Sequence, residues 1–232
     1  MFFLDINYLL WVVLPMAALM GLVQIYLKTT YGKYSKIGTH TGITGAETAR
    51  RVLASKGLHH VKIERVEGFL SDHYDPREKV LRLSPTNYDG NSIAALGVAA
   101  HEAGHAIQDA ERYPMLVLRN LAVPVASIGS NMGWGALMIG VFMRSDLLIV
   151  IGVLGLAAIA LFQLINLPVE FDASRRALQL LPATGVLTEA ENRGARSVLF
   201  AASLTYVAAT IAAIWTLLYW LMRLGLIGGS RE

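Results

Sequence analysis

The chain has 232 residues, 54% of them hydrophobic and 16% charged, against about 25% charged in an average soluble protein. With a mean hydropathy of +0.48, the composition excludes an ordinary soluble domain, a secreted miniprotein and a disordered chain. No cysteine is present, so a disulfide framework, a thiolate metal site and a cysteine nucleophile are excluded as well.

Residues 8–27, 121–143, 147–169 and 197–222 contain no Asp, Glu, Lys or Arg. Roughly 20 apolar residues cross a bilayer core, so each stretch predicts a transmembrane helix. Residues 1–7 carry Asp5 and no positive charge. They lack the basic leader of a signal peptide, and the first span is expected to be retained. The formal charge of +3 reads as topogenic, not as a footprint for nucleic acid. If all four stretches span, residues 28–120 and 168–196 share one side and hold 17 of the 20 Lys and Arg. Positive loops stay in the cytoplasm, so both large loops are predicted cytoplasmic, with Arg144, Arg223 and Arg231 on the other side. The second and third spans form a hairpin turning at Arg144-Ser145-Asp146, and Gly129 with Gly133 makes a small-xxx-small pair for helix packing.

The loop at 28–120 is long enough for a small α+β insert. Residues 44–55 open with Thr44 and Glu47 in capping-box spacing and are followed by Gly57, a helix with both ends marked. Residues 61–66 and 79–83 alternate apolar and charged, as half-exposed strands do. Ser71-Asp72-His73-Tyr74-Asp75-Pro76 between them carries turn chemistry, which predicts a β-hairpin or meander. Residues 92–110, rich in Ala and free of Pro, predict a helix.

That helix contains His101-Glu102-Ala103-Gly104-His105, the HExxH pattern. Positions four apart share a helix face, so His101 and His105 can grip one Zn²⁺ while Glu102 reaches a water beside it and acts as base. Two histidines and a glutamate on so apolar a segment are costly to bury without a metal or partner. A third protein ligand is needed. Glu170 and Asp172, at the end of the third span, form one candidate group; Asp72, His73 and Asp75 form another. His40, His59 and His60 read as surface histidines.

Three segments in register, SDHYDPREKVLRLSP at 71–85, SIAALGVAAHEAGHAIQDAE at 92–111 and NLPVEFDASRRAL at 166–178, resemble the YugP-like neutral zinc metallopeptidases of bacterial membranes over nearly the whole chain. More distantly, Glu170-Phe171-x-Ala173 after a membrane helix is similar to the ExxAD element of the HtpX and CAAX-prenyl-protease group. The resemblance implies a gluzincin-like site with one Zn²⁺ per chain, ligands His101, His105 and Glu170, and Glu102 as catalytic base. Ser174 stands where the wider group has Asp, which leaves Asp172 as substitute, either as a partner behind a ligand or as the ligand itself. Proteases of this kind hold an extended substrate on a strand edge, here 61–66 or 79–83. His73, Tyr74, Arg175 and Arg176 are candidates to stabilise the oxyanion.

The expectation is a mainly α membrane protein: four transmembrane helices with a small α+β cytoplasmic insert carrying the HExxH helix, the third span running into the third-ligand segment 166–178. It would act as a zinc metalloendopeptidase of the bacterial inner membrane on protein or peptide substrates. Its other partners would be the lipid bilayer and a homo-oligomer or membrane-protein partner, with no nucleic acid. Two alternatives are an intramembrane site-2-type protease and a non-proteolytic scaffold or chaperone-like partner with structural zinc. The only Asp-Gly, Asp89-Gly90, lies outside the spans, unlike the ligand motif of the former; an intact Glu102 has no use in the latter.

Overall fold

The structure, a computed structural model, describes residues 6–68 and 70–227. Asp5 and Arg231, which entered the reading of the first span and the charge count, lie outside these. In chain order the elements are α1 (Ile6–Tyr8), a π-helical turn (Leu9–Val13), α2 (Leu14–Tyr34), α3 (Gly45–Ala54), β1 (Lys62–Arg65), β2 (His73–Asp75), β3 (Val80–Leu83), α4 (Pro85–Tyr88), α5 (Ile93–Ala110), α6 (Pro114–Met143), α7 (Asp146–Ala183) and α8 (Glu189–Arg223). The protein is thus mainly helical with one small sheet. Four helical stretches, Ile6–Tyr34, Pro114–Met143, Asp146–Ala183 and Glu189–Arg223, are long and apolar enough to cross a membrane. All four outrun the uncharged runs in the sequence. The 38 residues of α7 extend about 57 Å at 1.5 Å per residue, nearly twice a hydrocarbon core. The expected third span and the segment 166–178 are therefore one uninterrupted helix, with Pro168 inside it.

The chain divides into two compact units. One comprises residues 6–23, 118–167 and 205–227. Its helices approach closely where glycines remove side chains: a Cβ on Gly129 would lie 2.8 Å from the Gly155 carbonyl oxygen, and one on Gly155 would lie 2.7 Å from the Gly133 Cα. The predicted small-xxx-small pair is thus a backbone contact between α6 and α7. Arg144 takes the left-handed conformation (φ 54°) at the turn joining them. Tyr8, Trp134, Tyr219 and Trp220 form an aromatic cluster beside Leu137 and Leu156.

The other unit, residues 24–117 and 168–204, is built around α5. Ser92 caps this helix, its Oγ accepting from the Ala95 N–H at 3.2 Å. Thr44 does the same for α3 by accepting from the Glu47 N–H, whereas the Glu47 carboxylate pairs with Arg50 and Arg51 and leaves the capping box half formed. The alanines of α5 let its neighbours come close. Ala99, Ala103 and Ile107 pack with Val52 and Leu53 of α3, Leu81 and Leu83 of β3, Ala177 and Leu181 of α7 and Leu199 of α8.

The sheet departs from the expected hairpin. Its order is β1-β3-β2: β1 runs parallel to β3, with Lys62 opposite Val80, and β2 is antiparallel to it, with His73 opposite Arg82. The segment read as a turn at 71–76 thus supplies a strand. Its turn chemistry begins only at Asp75, whose Oδ1 accepts from the N–H groups of Arg77 and Glu78. The side chains of 71–75 were polar enough to suggest a loop, but backbone pairing with β3 decides the conformation. β3 is consequently the central strand, so 79–83 offers no free edge. Of the two edge strands, β2 packs on α5, while β1 packs on α3 and α4.

Candidate metal centre

α5 and the distal part of α7 bring together the residues that sequence spacing could not relate. His101 and His105, one turn apart on α5, face each other with ring centroids 4.8 Å apart at 83°. Opposite them, Glu170 directs Oε2 to 3.3 Å from the His101 Nε2 and 3.6 Å from the His105 Nε2. The approach depends on Gly104, where a Cβ would stand 2.7 Å from the Ala173 carbonyl oxygen. Among the described residues, His101, His105 and Glu170 are the group of three donors placed to hold a metal ion, with ligand atoms all within 4.8 Å of one another.

The donor set fits zinc on its own geometry. Ligand atoms about 2.1 Å from a tetrahedral ion stand about 3.4 Å apart, close to both carboxylate–imidazole separations. Glu170 is 4% exposed, and its Oε2 is fully buried with no partner beyond its approach to the two imidazole nitrogens. A buried carboxylate oxygen left unsatisfied is unfavourable unless a cation completes it.

Each imidazole is held from behind. The Gln108 Nε2 donates to the Val169 carbonyl at 2.8 Å and to the Asp172 Oδ2 at 3.0 Å. The Gln108 Oε1 must then be the atom 3.0 Å from the His105 Nδ1, and it accepts the proton on that nitrogen. This fixes the His105 tautomer and leaves the Nε2 lone pair toward the cluster. The His101 Nδ1 lies 3.1 Å from the Ser174 Oγ. Ser174 itself therefore occupies the contact behind His101, and Asp172 reaches His105 through Gln108. Gln108 was missed in the sequence, although its place three residues after His105 puts it on the same helix face; nothing in the sequence said that its amide would be buried against α7.

Glu102 is buried beside His101, and its carboxylate makes no hydrogen bond among the described residues. Burial pushes its carboxyl above the ordinary range, with His101 and His105 opposing and the Glu170 and Asp72 charges adding to the rise. The other candidates are spoken for. Asp172 takes Arg175 and Arg176, and Arg176 also pairs with Glu111 at 2.6 Å. The Tyr74 hydroxyl donates to the Asp109 Oδ2 at 2.7 Å; burial and then Asp109 raise its pKa. His73 is exposed on β2, with Nδ1 at 2.8 Å from the Ser71 carbonyl. The second group considered for the third ligand does not gather: Asp72 accepts from the Ser84 N–H, the Ser84 Oγ and the Asn87 Nδ2, while Asp75 caps its turn and lies 3.5 Å from Arg82. His40 pairs with Glu191, and His59 and His60 are exposed.

Known proteins bear on this cluster. No solved structure matches the chain. It is 45% identical over 217 residues to "Putative membrane protease YugP" of Bacillus subtilis (strain 168), covering 92% of this chain and 96% of that protein. The family described as "Putative neutral zinc metallopeptidase" matches residues 9–225. That match takes in α5 and α7, the helices that supply the two imidazoles and the facing carboxylate, and the chain belongs to this family.

Proposed function

We propose that the protein is a zinc metalloendopeptidase hydrolysing peptide bonds at the cytoplasmic surface of the bacterial inner membrane. The observation that carries this reading is the buried, otherwise unpartnered Glu170 Oε2 facing the two imidazoles of a helix that also holds Glu102. In this reading His101, His105 and Glu170 hold the ion. When bound, zinc supplies a Lewis acid that acidifies water and polarises a carbonyl.

The chain's own residues do the rest. Glu102 takes a proton from the attacking water as the C–O bond forms, then delivers it to the amine nitrogen as the C–N bond breaks. Its carboxyl, raised by burial, is suited to both transfers. Gln108 and Ser174 keep Nδ1 of each histidine occupied, so that the Nε2 lone pairs remain for the ion. An extended substrate is aligned by β2, the edge strand packed on α5, through main-chain hydrogen bonds. Of the oxyanion candidates, His73 lies on that strand with no partner for its Nε2 among the described residues; Tyr74 and Arg176 are engaged elsewhere, and Arg175 lines the groove between α7 and α8.

The test compares zinc content and proteolysis in the wild type and Glu102→Gln. Zinc is expected to stay bound while turnover falls about 10²–10⁴-fold, the usual contribution of a positioned general base. Equal cleavage by both proteins would remove Glu102 from the mechanism. Metal retention with no cleavage by either, on membrane or soluble substrates, would favour the scaffold alternative.

A further inference from the structure

We propose that the groove between α7 and α8, beside the metal centre, binds an anionic phospholipid by its headgroup. The groove measures about 430 Å³ and is lined by Phe171, Ser174 and Arg175 of α7 and Arg196, Leu199 and Phe200 of α8, among others, with no carboxylate in its lining. Its two ends differ in chemistry. Phe171 and Phe200 are 46% and 57% exposed, and Leu199 and Phe200 belong to the uncharged run that begins at residue 197. Arg196 stands one residue before that run, and its guanidinium has no ion pair or hydrogen bond among the described residues. Arg175 gives one N–H group to Asp172 and keeps its remaining donors.

A bare guanidinium at the point where an uncharged helix begins, with exposed aromatic surface one turn further in, fits a ligand that is anionic at one end and hydrocarbon at the other. Basic pockets between membrane helices take lipid headgroups for this reason. A peptide substrate fits less well. The groove reaches the metal centre through Ser174, whose Oγ touches Nδ1 of His101, whereas the ligand atoms meet at Nε2 on the other edge of the ring. An occupant therefore sits behind His101, away from where a scissile bond must lie.

The experiment uses the full chain in neutral detergent and counts bound lipid by native mass spectrometry, with phosphatidylglycerol and phosphatidylcholine as probes. Phosphatidylglycerol should bind in preference. Arg196→Ala should weaken its binding about fivefold, the worth of one cation near an anionic headgroup. Phe200→Ser should weaken it too, and serves if the arginine variant does not fold. Arg193→Ala, an exposed cation one turn earlier and outside the groove, should leave it unchanged. The proposal fails if both lipids bind alike, or if Arg193→Ala matches Arg196→Ala. It fails equally if glycerol 3-phosphate displaces the lipid at the same concentration, which would make this a free-anion site, or if a cleavable peptide displaces it, which would make it a substrate groove.

Discussion

Gly104 and Ala173 meet backbone to backbone: a Cβ on Gly104 would lie 2.7 Å from the Ala173 carbonyl oxygen and 3.2 Å from its Cα. Gly104 is the residue before His105, and Ala173 the residue before Ser174, so this contact sets the distance between the imidazoles and Glu170. The obstacle is rigid backbone, which cannot swing away. Gly104→Ala should push α5 and α7 apart, costing about 1–3 kcal/mol in stability as overpacking does. Zinc occupancy should fall with it. Full zinc content and an unchanged Tm would show that the contact does not position the site.

The third ligand can be assigned by comparing two carboxylates on one helix. Glu170→Ala removes the oxygen facing both Nε2 atoms and should abolish zinc retention after dialysis, as His101→Ala should. Asp172→Ala removes a partner of Gln108, Arg175 and Arg176, and should weaken binding without abolishing it. The reverse order, measured by metal analysis of both purified variants, would make Asp172 the ligand.

Behind the histidines the two supports differ in strength. Gln108 is fully buried and fixes the His105 tautomer through three hydrogen bonds, so Gln108→Leu should lower zinc affinity about 10–100-fold, the range for groups that orient a metal ligand. Ser174→Ala removes a single neutral hydroxyl contact at 3.1 Å and should cost less. Competition with a chelator ranks the two, and a larger effect of Ser174→Ala would reverse the assignment.

Orientation is testable because the chain has no cysteine. A His60→Cys variant places a single thiol on an exposed residue in the large loop. It should react with an impermeant maleimide only after the membrane is opened. Labelling of intact cells would put the loop, and the metal centre with it, outside.

Much of this protein is written in local sequence. The four uncharged runs each seed a helix, because a run without charge is long enough to span a bilayer and an α-helix satisfies its own backbone there. HExxH on an Ala-rich segment already places two imidazoles on one face, since that depends only on helical pitch. Thr44 and Ser92 mark helix starts because capping is a contact over three residues. The strand at His73–Asp75, the central position of β3 and the parallel pairing of β1 were not legible, because pairing depends on which strand lies alongside and not on a strand's own side chains. Nor could spacing alone bring Glu170 to within 3.3 Å of His101 across 68 intervening residues, or turn Gln108 into the support of His105. Those relationships exist because a glycine on α5 and an alanine on α7 let two helices touch. Local sequence was enough for the four apolar helices and for two imidazoles on one helix face, because both depend on neighbours along the chain; tertiary packing alone set Glu170 against those imidazoles, Gln108 behind His105 and the free edge of β2 beside α5.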